Sequence, residues 1–227
     1  MLRRAPHDGW VWKRGLVLAA LLLIVARTTL MAASPTKNPV LLIHGIKDDA
    51  RKMEPMARHL RAEGWEAHTF SYRPSWGQKW LDELAAQVAT EADRLFSKGQ
   101  KFDLVAFSMG GLVSRYYLQR LGGVERVDRF VTLSTPHRGT WLAHLIPNAG
   151  CRQMRPRSEF LRELNANADC LTRVRFTSLW TPFDTIILPA HSSELPGVRC
   201  EKLPVLLHPL MVVQPSVLRR VAAVLAE

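Results

Sequence analysis

Polar side chains that could carry out acyl transfer follow several of the predicted strands. They are His44, Ser108, Ser134, His137, Asp184 and His208. A serine hydroxyl becomes a useful nucleophile only when a base is positioned beside it, and a carboxylate can orient that base. Serine, histidine and aspartate together therefore suggest nucleophilic attack on a carbonyl carbon, provided that the fold brings them to one place.

Ser108 has the most specific local context among these residues. It lies in the sequence Ala106-Phe107-Ser108-Met109-Gly110-Gly111, directly after a predicted strand and at the start of a predicted helix. A strand, a tight turn and a helix are the setting of a nucleophile elbow. The turn needs small residues two positions before and after the serine, and Ala106 and Gly110 supply them. The alternative interpretation is a serine that only caps a helix.

The elements that must position these residues alternate along the chain from Pro39 onward. Strands are predicted at 40–43, 65–72, 102–107, 130–133, 174–180 and 203–207, and helices at 53–63, 80–96, 110–121 and 215–226. This alternation predicts an α/β fold with a mostly parallel sheet of about six strands and helices on both faces. In such sheets functional residues collect at the carboxyl ends of the strands, where the polar residues above lie.

Three segments resemble those of the small bacterial triacylglycerol lipases and esterases of the α/β-hydrolase superfamily. They are Leu41-Leu42-Ile43-His44-Gly45-Ile46, Ala106-Phe107-Ser108-Met109-Gly110-Gly111 and Ser134-Thr135-Pro136-His137-Arg138-Gly139-Thr140. The resemblance extends from about Pro39 to the C-terminus and implies the α/β-hydrolase fold. Ala106 departs from the superfamily pattern G-x-S-x-G, although some small lipases also have alanine at that position.

The resemblance implies an oxyanion hole made of two backbone N–H groups. One belongs to the residue after the nucleophile, which is Met109, and the other to the residue after His-Gly, which is Ile46. Each donor of this kind typically contributes ~3 kcal/mol to stabilising the transition state. The residues expected to position the site without reacting are His44, Gly45, Gly110 and His137.

The superfamily places an acid, and then a histidine, after the nucleophilic serine in the chain. Asp184 follows the fifth predicted strand, and the preceding Thr-Pro favours a tight loop that would present its carboxylate at the edge of the sheet. Glu194 and Glu201 compete with it but lie closer to the last predicted strand, and Asp169 precedes the fifth strand, on the wrong side. We therefore expect Asp184 to be the acid.

His208 is the expected base, because it lies between the last predicted strand and the last predicted helix. His191 is the alternative, but it is close to Asp184 and belongs to the same loop, and His137 precedes Asp184 and breaks the expected order. In the expected reaction His208 accepts the proton of Ser108, Asp184 orients His208, and water cleaves the acyl-enzyme. No cofactor and no metal are expected.

Residues 140–171 form the longest stretch without a clear strand pattern. Two interpretations are open: a small cap or flap over the site, or a packed helix, since Phe160, Leu161 and Leu164 have helical spacing. Even if residues 140–171 form a cap, it is so small that the site would stay open to lipids or other esters.

Residues 1–33 are expected to be a targeting segment. Basic residues precede the apolar run 16–26, which has the length of a signal-peptide core and falls short of a comfortable bilayer span. A cleaved signal peptide or an uncleaved membrane anchor would give an exported or anchored protein, whereas translation from Met31 would give a cytoplasmic one. An exported domain could form a Cys151–Cys170 disulfide and leave Cys200 free, and a cytoplasmic one would keep three thiols.

The composition fits a single catalytic domain over residues 34–227. The chain of 227 residues is 47% apolar and 22% charged, which excludes a disordered, collagen-like or multi-span membrane protein. Its net charge of +11 suits an anionic membrane surface. The basic residues are dispersed and form no nucleic-acid-binding motif, so no nucleic acid partner is expected. The acidic pair Asp48-Asp49 is expected to be solvated.

The expected function is hydrolysis of carboxylic esters, such as acylglycerols or related lipids, through an acyl-enzyme on Ser108. An acyltransferase or thioesterase with the same three residues is the nearest alternative. A catalytically silent hydrolase fold that binds a partner or a lipid is the alternative from another functional class.

Overall fold

A single parallel sheet organises the computed structural model, which describes residues 37–227. The strands are β1 Val40–Ile43, β2 Ala67–Phe70, β3 Phe102–Phe107, β4 Val127–Leu133, β5 Arg175–Trp180 and β6 Arg199–Lys202. Their order in the sheet is β2-β1-β3-β4-β5-β6, and every neighbouring pair is parallel. The expected targeting segment, residues 1–33, and the alternative start at Met31 lie outside the described residues.

Helices cover both faces of this sheet, as predicted. They are α1 Ala50–Ala62, α2 Leu81–Leu95, α3 Met109–Arg120, α4 Ala149–Gln153, α5 Glu159–Ala166 and α6 Pro215–Ala226. Because successive side chains of a strand point to opposite faces, Leu41 and Ile43 pack with α2, α3 and α5 on one face. Val40 and Leu42 pack with α1 and α6 on the other face. In the part of the chain from residue 37 to 227, no helix is long and apolar enough to span a bilayer.

The prediction of a sixth strand at residues 203–207 is wrong. The sixth strand is Arg199–Lys202, which pairs with β5 at the edge of the sheet. An edge strand needs no continuous apolar run, so its polar sequence gave no signal. Pro204 cannot donate a ladder hydrogen bond, and Leu206 and Leu207 are exposed in the loop that follows.

Residues 140–171 contain a packed helix, in agreement with one of the two interpretations of this stretch. Phe160, Leu161 and Leu164 of α5 are buried against the main core. The buried Arg115 of α3 fixes this helix, because its guanidinium donates to the Leu164 carbonyl at 3.1 Å and to Asn165 Oδ1 at 3.0 Å.

The cysteines form no cross-link in this structure. Cys151, Cys170 and Cys200 are all free thiols, with Cys151 buried beside α5 and the other two partly exposed.

The buried Asp103 of β3 leads to a pH-dependent stability prediction. Its Oδ1 accepts from Asn38 Nδ2 at 3.2 Å and from Arg129 N at 3.0 Å, whereas Oδ2 has no hydrogen-bond partner in the described part of the chain. Burial raises the pKa of Asp103 to about 6, in spite of the opposing effects of Asn38 and Arg129. The folded state therefore holds this proton more tightly than the unfolded state, and the contribution of Asp103 to stability falls as pH rises from about 4 to about 6.

Asp103→Asn removes this titration. We expect the unfolding free energy of the variant, relative to the parent, to increase by roughly 2 kcal/mol between about pH 4 and about pH 7.5. Urea unfolding of both proteins at the two pH values measures the change. A difference between variant and parent that does not vary with pH would contradict the prediction.

Candidate active site

The structure brings Ser108, His208 and Asp184 together at the carboxyl edge of the sheet. His208 Nε2 lies 3.0 Å from Ser108 Oγ, and His208 Nδ1 lies 2.7 Å from Asp184 Oδ2. The three residues are nearly buried. Since the Asp184 carboxylate accepts from Nδ1–H, the imidazole presents its unprotonated Nε2 to the serine hydroxyl, which is the arrangement a general base requires.

A sharp turn at the end of β3 holds Ser108. Its backbone has φ 55° and ψ −126°, a conformation that a non-glycine residue adopts only when its surroundings enforce it. The Ser108 N–H donates to the Leu133 carbonyl at 2.9 Å, and the Ser108 carbonyl accepts from Thr135 Oγ1 at 3.0 Å. A Cβ on Gly110 would stand 2.2 Å from the His44 carbonyl oxygen, so this position requires glycine.

Asp184 lies in a loop after β5 that stabilises its charged form. Its Oδ1 accepts from the backbone N–H groups of Ile186 and Ile187, each at 2.9 Å. Burial acts to raise the pKa of Asp184, but hydrogen bonds from His208 and from these two N–H groups together bring it below its usual value. The carboxylate is therefore ionised at neutral pH and can stabilise a positively charged His208.

The competing acids lie away from this cluster. Glu201 is on β6 and pairs with Arg220 through two hydrogen bonds of 2.6 and 2.7 Å. Asp169 is exposed on the segment before β5. Glu194 makes no hydrogen bond or ion pair with His208, whose Nδ1 is occupied by Asp184.

The two other histidines considered for the site also lie elsewhere. His191 is exposed in the loop before β6. His137 is fully buried, with Nε2 3.0 Å from Thr132 Oγ1. Burial, together with the charges of Arg115 and Arg138, holds the pKa of His137 well below its usual range, so it is a neutral structural neighbour of the site.

The loop after β1 holds one peptide unit in a fixed orientation. The Gly45 carbonyl accepts from His44 Nδ1 at 2.7 Å and from the hydroxyl of Tyr72 at 3.2 Å, and that hydroxyl is also 3.0 Å from the His44 carbonyl. The Gly45 carbonyl and the Ile46 N–H belong to the same planar trans peptide, so they point in opposite directions. Anchoring the carbonyl therefore fixes the direction of the Ile46 N–H.

Ile46 and Met109 retain free backbone donors beside the serine. Neither N–H has an acceptor within residues 37–227. The Met109 N–H belongs to the first turn of α3, where the helix dipole favours negative charge. Both donors are thus available to a ligand of the site.

Tyr72 did not emerge from the sequence as a site residue, although it ends the second predicted strand. It is buried and its ring lies 4.2 Å from the His44 ring. For Tyr72→Phe, which removes only the hydroxyl, we expect ester hydrolysis to lose ~10-fold in kcat with little change in KM. If the Ile46 N–H is an oxyanion donor, a looser peptide at this position weakens binding of the transition state more than binding of the substrate.

Steady-state kinetics of the Tyr72→Phe variant test this expectation, with Tyr116→Phe as the matched control outside the loop. An unchanged kcat in Tyr72→Phe, or an equal loss in both variants, would contradict it.

A pocket of about 200 Å³ opens directly onto Ser108. Its walls are Ile46, Asp48, Lys52, Phe107, Ile186, His208 and Pro209. Asp48 is half-buried here, so it differs from the solvated residue that the sequence predicted, whereas Asp49 is the N-cap of α1. Within residues 37–227 no three histidine, cysteine or acidic side chains converge as metal ligands would.

Solved structures similar to this chain include lipases and other hydrolases. The mature form of Bacillus licheniformis lipase BlEst2 aligns with a TM-score of 0.71 and 18% identity over 86% of this chain and 94% of that one. Aspergillus fumigatus lipase B aligns with a TM-score of 0.74 and 19% identity, over 84% of this chain and 53% of that one. Legionella pneumophila phospholipase PlaB aligns with a TM-score of 0.66 and 12% identity, over 83% of this chain and 59% of that one. These similarities establish the α/β-hydrolase fold.

A family model matches the core of the chain. The model describes palmitoyl protein thioesterases and covers residues 39–181, from the start of β1 to the end of β5. The matched region contains the turn at Ser108 and the loop after β1, and it covers more than half of the sequence. The chain therefore belongs to the palmitoyl protein thioesterase family and has the α/β-hydrolase fold.

Proposed function

We propose that the protein is a serine hydrolase of carboxylic esters, with Ser108 as nucleophile, His208 as general base and Asp184 as the orienting acid. The observation that carries the proposal is the continuous pair of hydrogen bonds from Asp184 Oδ2 through His208 to Ser108 Oγ. Family membership and the lipase-like fold support the same reaction class.

The reaction proceeds through an acyl-enzyme. His208 Nε2 accepts the hydroxyl proton as Ser108 Oγ forms a bond to the carbonyl carbon, and the carbonyl π electrons move onto oxygen. The N–H groups of Met109 and Ile46 stabilise that oxyanion. The protonated His208 then gives its proton to the leaving alcohol, and a water activated by His208 releases the acid.

A thioester substrate is the second candidate, because the family model describes thioesterases. The same residues can cleave either bond, since the attacking serine and the oxyanion are common to both reactions. Acyl transfer to an alcohol other than water would use the same acyl-enzyme.

The surface around the pocket supports a lipid substrate or membrane partner. Ile186 lines the pocket, Phe183 flanks Asp184, and Leu206 and Leu207 precede His208, and all four side chains are substantially exposed. Exposed apolar side chains beside a binding site favour an apolar ligand such as a lipid. The positive net charge of the chain, +11, would favour an anionic surface.

The test uses the purified full chain with three kinds of octanoyl substrate: p-nitrophenyl octanoate, an octanoyl thioester and trioctanoylglycerol. We expect release of free octanoic acid from at least one oxygen ester, and the ratio of oxygen-ester to thioester kcat/KM separates the two substrate classes. Acyl transfer to added alcohol in preference to water would favour the transferase alternative. No release from any substrate would contradict the proposal.

A further inference from the structure

Two oppositely charged side chains share the small pocket in front of Ser108. Asp48 and Lys52 both line it, beside the otherwise apolar Phe107, Ile186 and Pro209. Lys52 Nζ lies 6.0 Å from the centre of the Phe107 ring, and that ring packs 4.7 Å from the His208 ring. Both charged side chains therefore lie near Ser108 and His208. Burying a charged group costs free energy unless a hydrogen-bond or ionic partner compensates for the lost water.

Asp48 is particularly close to the nucleophile. A Cβ built on Gly45 would lie 3.0 Å from Ser108 Cβ and 3.3 Å from Asp48 Oδ2. The carboxylate and the serine therefore both border the space that a side chain on Gly45 would fill. Asp48 is also two residues from Ile46, whose N–H is the proposed oxyanion donor.

The structural roles that could explain these charges are filled by other residues. Asp49, and not Asp48, is the N-cap of α1, since it accepts from the Arg51 N–H at 2.9 Å. Asp48 and Lys52 are four positions apart but are not within ion-pair distance. Neither side chain makes a hydrogen bond or ion pair with another residue in the range 37–227.

We propose that Asp48 and Lys52 form a polar subsite that binds a hydroxyl group of the substrate next to the scissile ester. The inference rests on the proposed ester hydrolase function and specifies its substrate class. That class is an ester with a hydroxylated alcohol moiety, such as an ester of glycerol or another polyol.

The chemistry of the pair favours a hydroxyl over other groups. A carboxylate only accepts hydrogen bonds and an ammonium only donates them, whereas a hydroxyl does both and can bridge the two. A purely hydrocarbon moiety would leave both charges without partners. A net cation or anion would be attracted by one of the two side chains and repelled by the other. Burial raises the pKa of Asp48, and the charges of Lys52 and His208 act in the opposite direction.

An unbridged Asp48 carboxylate should also hinder catalysis on plain esters. Negative charge would develop on the oxyanion at the Ile46 N–H, two residues along the chain from Asp48, and the two negative charges would repel each other. Binding a hydroxyl to the carboxylate disperses its charge. The subsite thus distinguishes a hydroxylated ester from a plain ester by both binding and repulsion.

The test compares 1-monobutyroylglycerol with n-propyl butyrate, which differ only in two hydroxyl groups. For the full chain we expect kcat/KM to be roughly 10-fold higher for the glycerol ester. In Asp48→Leu and in Lys52→Met we expect this preference to fall to about 2-fold or less. The propyl ester rate should be retained or increased in Asp48→Leu, whereas in Lys52→Met it should not exceed the parental rate, because the Asp48 charge then lacks the opposing charge of Lys52. Arg58→Met, an exposed position on α1, is the matched control and should keep the parental preference.

The propyl ester rate and the thermal midpoint of each variant show that it is folded. Equal rates for the two esters in the parent would contradict the proposed subsite. It would also be contradicted if Asp48→Leu and Lys52→Met each kept the parental preference for the glycerol ester. If the parent hydrolyses neither butyrate ester and no octanoyl ester, the proposed function itself fails, and the subsite fails with it. If it hydrolyses octanoyl esters but neither butyrate, the same comparison is made with 1-monooctanoylglycerol and n-propyl octanoate. If the parent hydrolyses both at the same rate, only the subsite fails.

Discussion

Ser108→Ala is expected to reduce kcat/KM for p-nitrophenyl butyrate by about 10⁴- to 10⁶-fold. The variant keeps the pocket, the oxyanion donors and His208, but it has no atom that can form the acyl-enzyme. A small residual rate above the uncatalysed reaction remains, because the oxyanion donors still stabilise attack by water. The loss should appear in kcat, since the side chain contributes little to substrate binding.

The matched control for this variant is Ser97→Ala. Ser97 also stands in an S-x-G triplet, but it is exposed and lies after α2, away from the pocket. It should retain parental kinetics. A Ser108→Ala variant that is folded by circular dichroism and hydrolyses the ester at the parental rate would rule out Ser108 as the nucleophile.

Replacing His208 is expected to reduce kcat/KM for p-nitrophenyl butyrate by a similar factor. His208→Ala removes the base 3.0 Å from Ser108 Oγ and leaves the buried Asp184 carboxylate without its ring partner. Because nucleophile and base act as one unit, the Ser108→Ala/His208→Ala double variant should be no slower than the slower single variant.

His191→Ala distinguishes the two histidines that follow Asp184 in the chain. His191 is exposed, so its loss should leave both kcat and KM within about 2-fold of the parent. Stopped-flow or plate-reader kinetics on the three variants measure this. A larger loss of kcat in His191→Ala than in His208→Ala would contradict the assignment of His208 as the base. Additive losses of kcat in the Ser108→Ala/His208→Ala double variant would also contradict it.

The core of the fold could be predicted because its signals are local. Buried parallel strands require apolar runs such as Val40–Ile43 and Phe102–Phe107, and amphipathic helices follow them. Strand β6 could not be predicted in this way, because an edge strand that is partly exposed carries the polar sequence Arg-Cys-Glu-Lys. The apolar residues after it belong to a loop near the pocket, and apolar content alone does not distinguish an exposed loop from a buried strand.

The residues of the candidate site also differ in how far the sequence alone could identify them. Ser108 could be found from its immediate neighbours, since the tight turn requires small residues beside it. Choosing Asp184 and His208 needed the chain order of a known superfamily, because many acids and histidines follow strands.

Tyr72 could not be found from the sequence, since its function depends on a contact with carbonyl groups at positions 44 and 45, far away in the chain. The position of Asp48 in the pocket depends on how the loop after β1 folds over Ser108, and adjacent acidic residues usually indicate a solvated loop. The contacts of Tyr72 and the position of Asp48 therefore become visible only in the structure.

Covalent labelling with a serine-directed reagent identifies the nucleophile of the protein. The full chain is incubated with a fluorophosphonate, which forms a stable phosphonyl ester only with an activated serine, and the modified peptide is located by mass spectrometry. We expect one adduct, on Ser108, that is absent in Ser108→Ala and forms much more slowly in His208→Ala. An unmodified Ser108 in the active, folded parent, or an adduct on another serine, would contradict it.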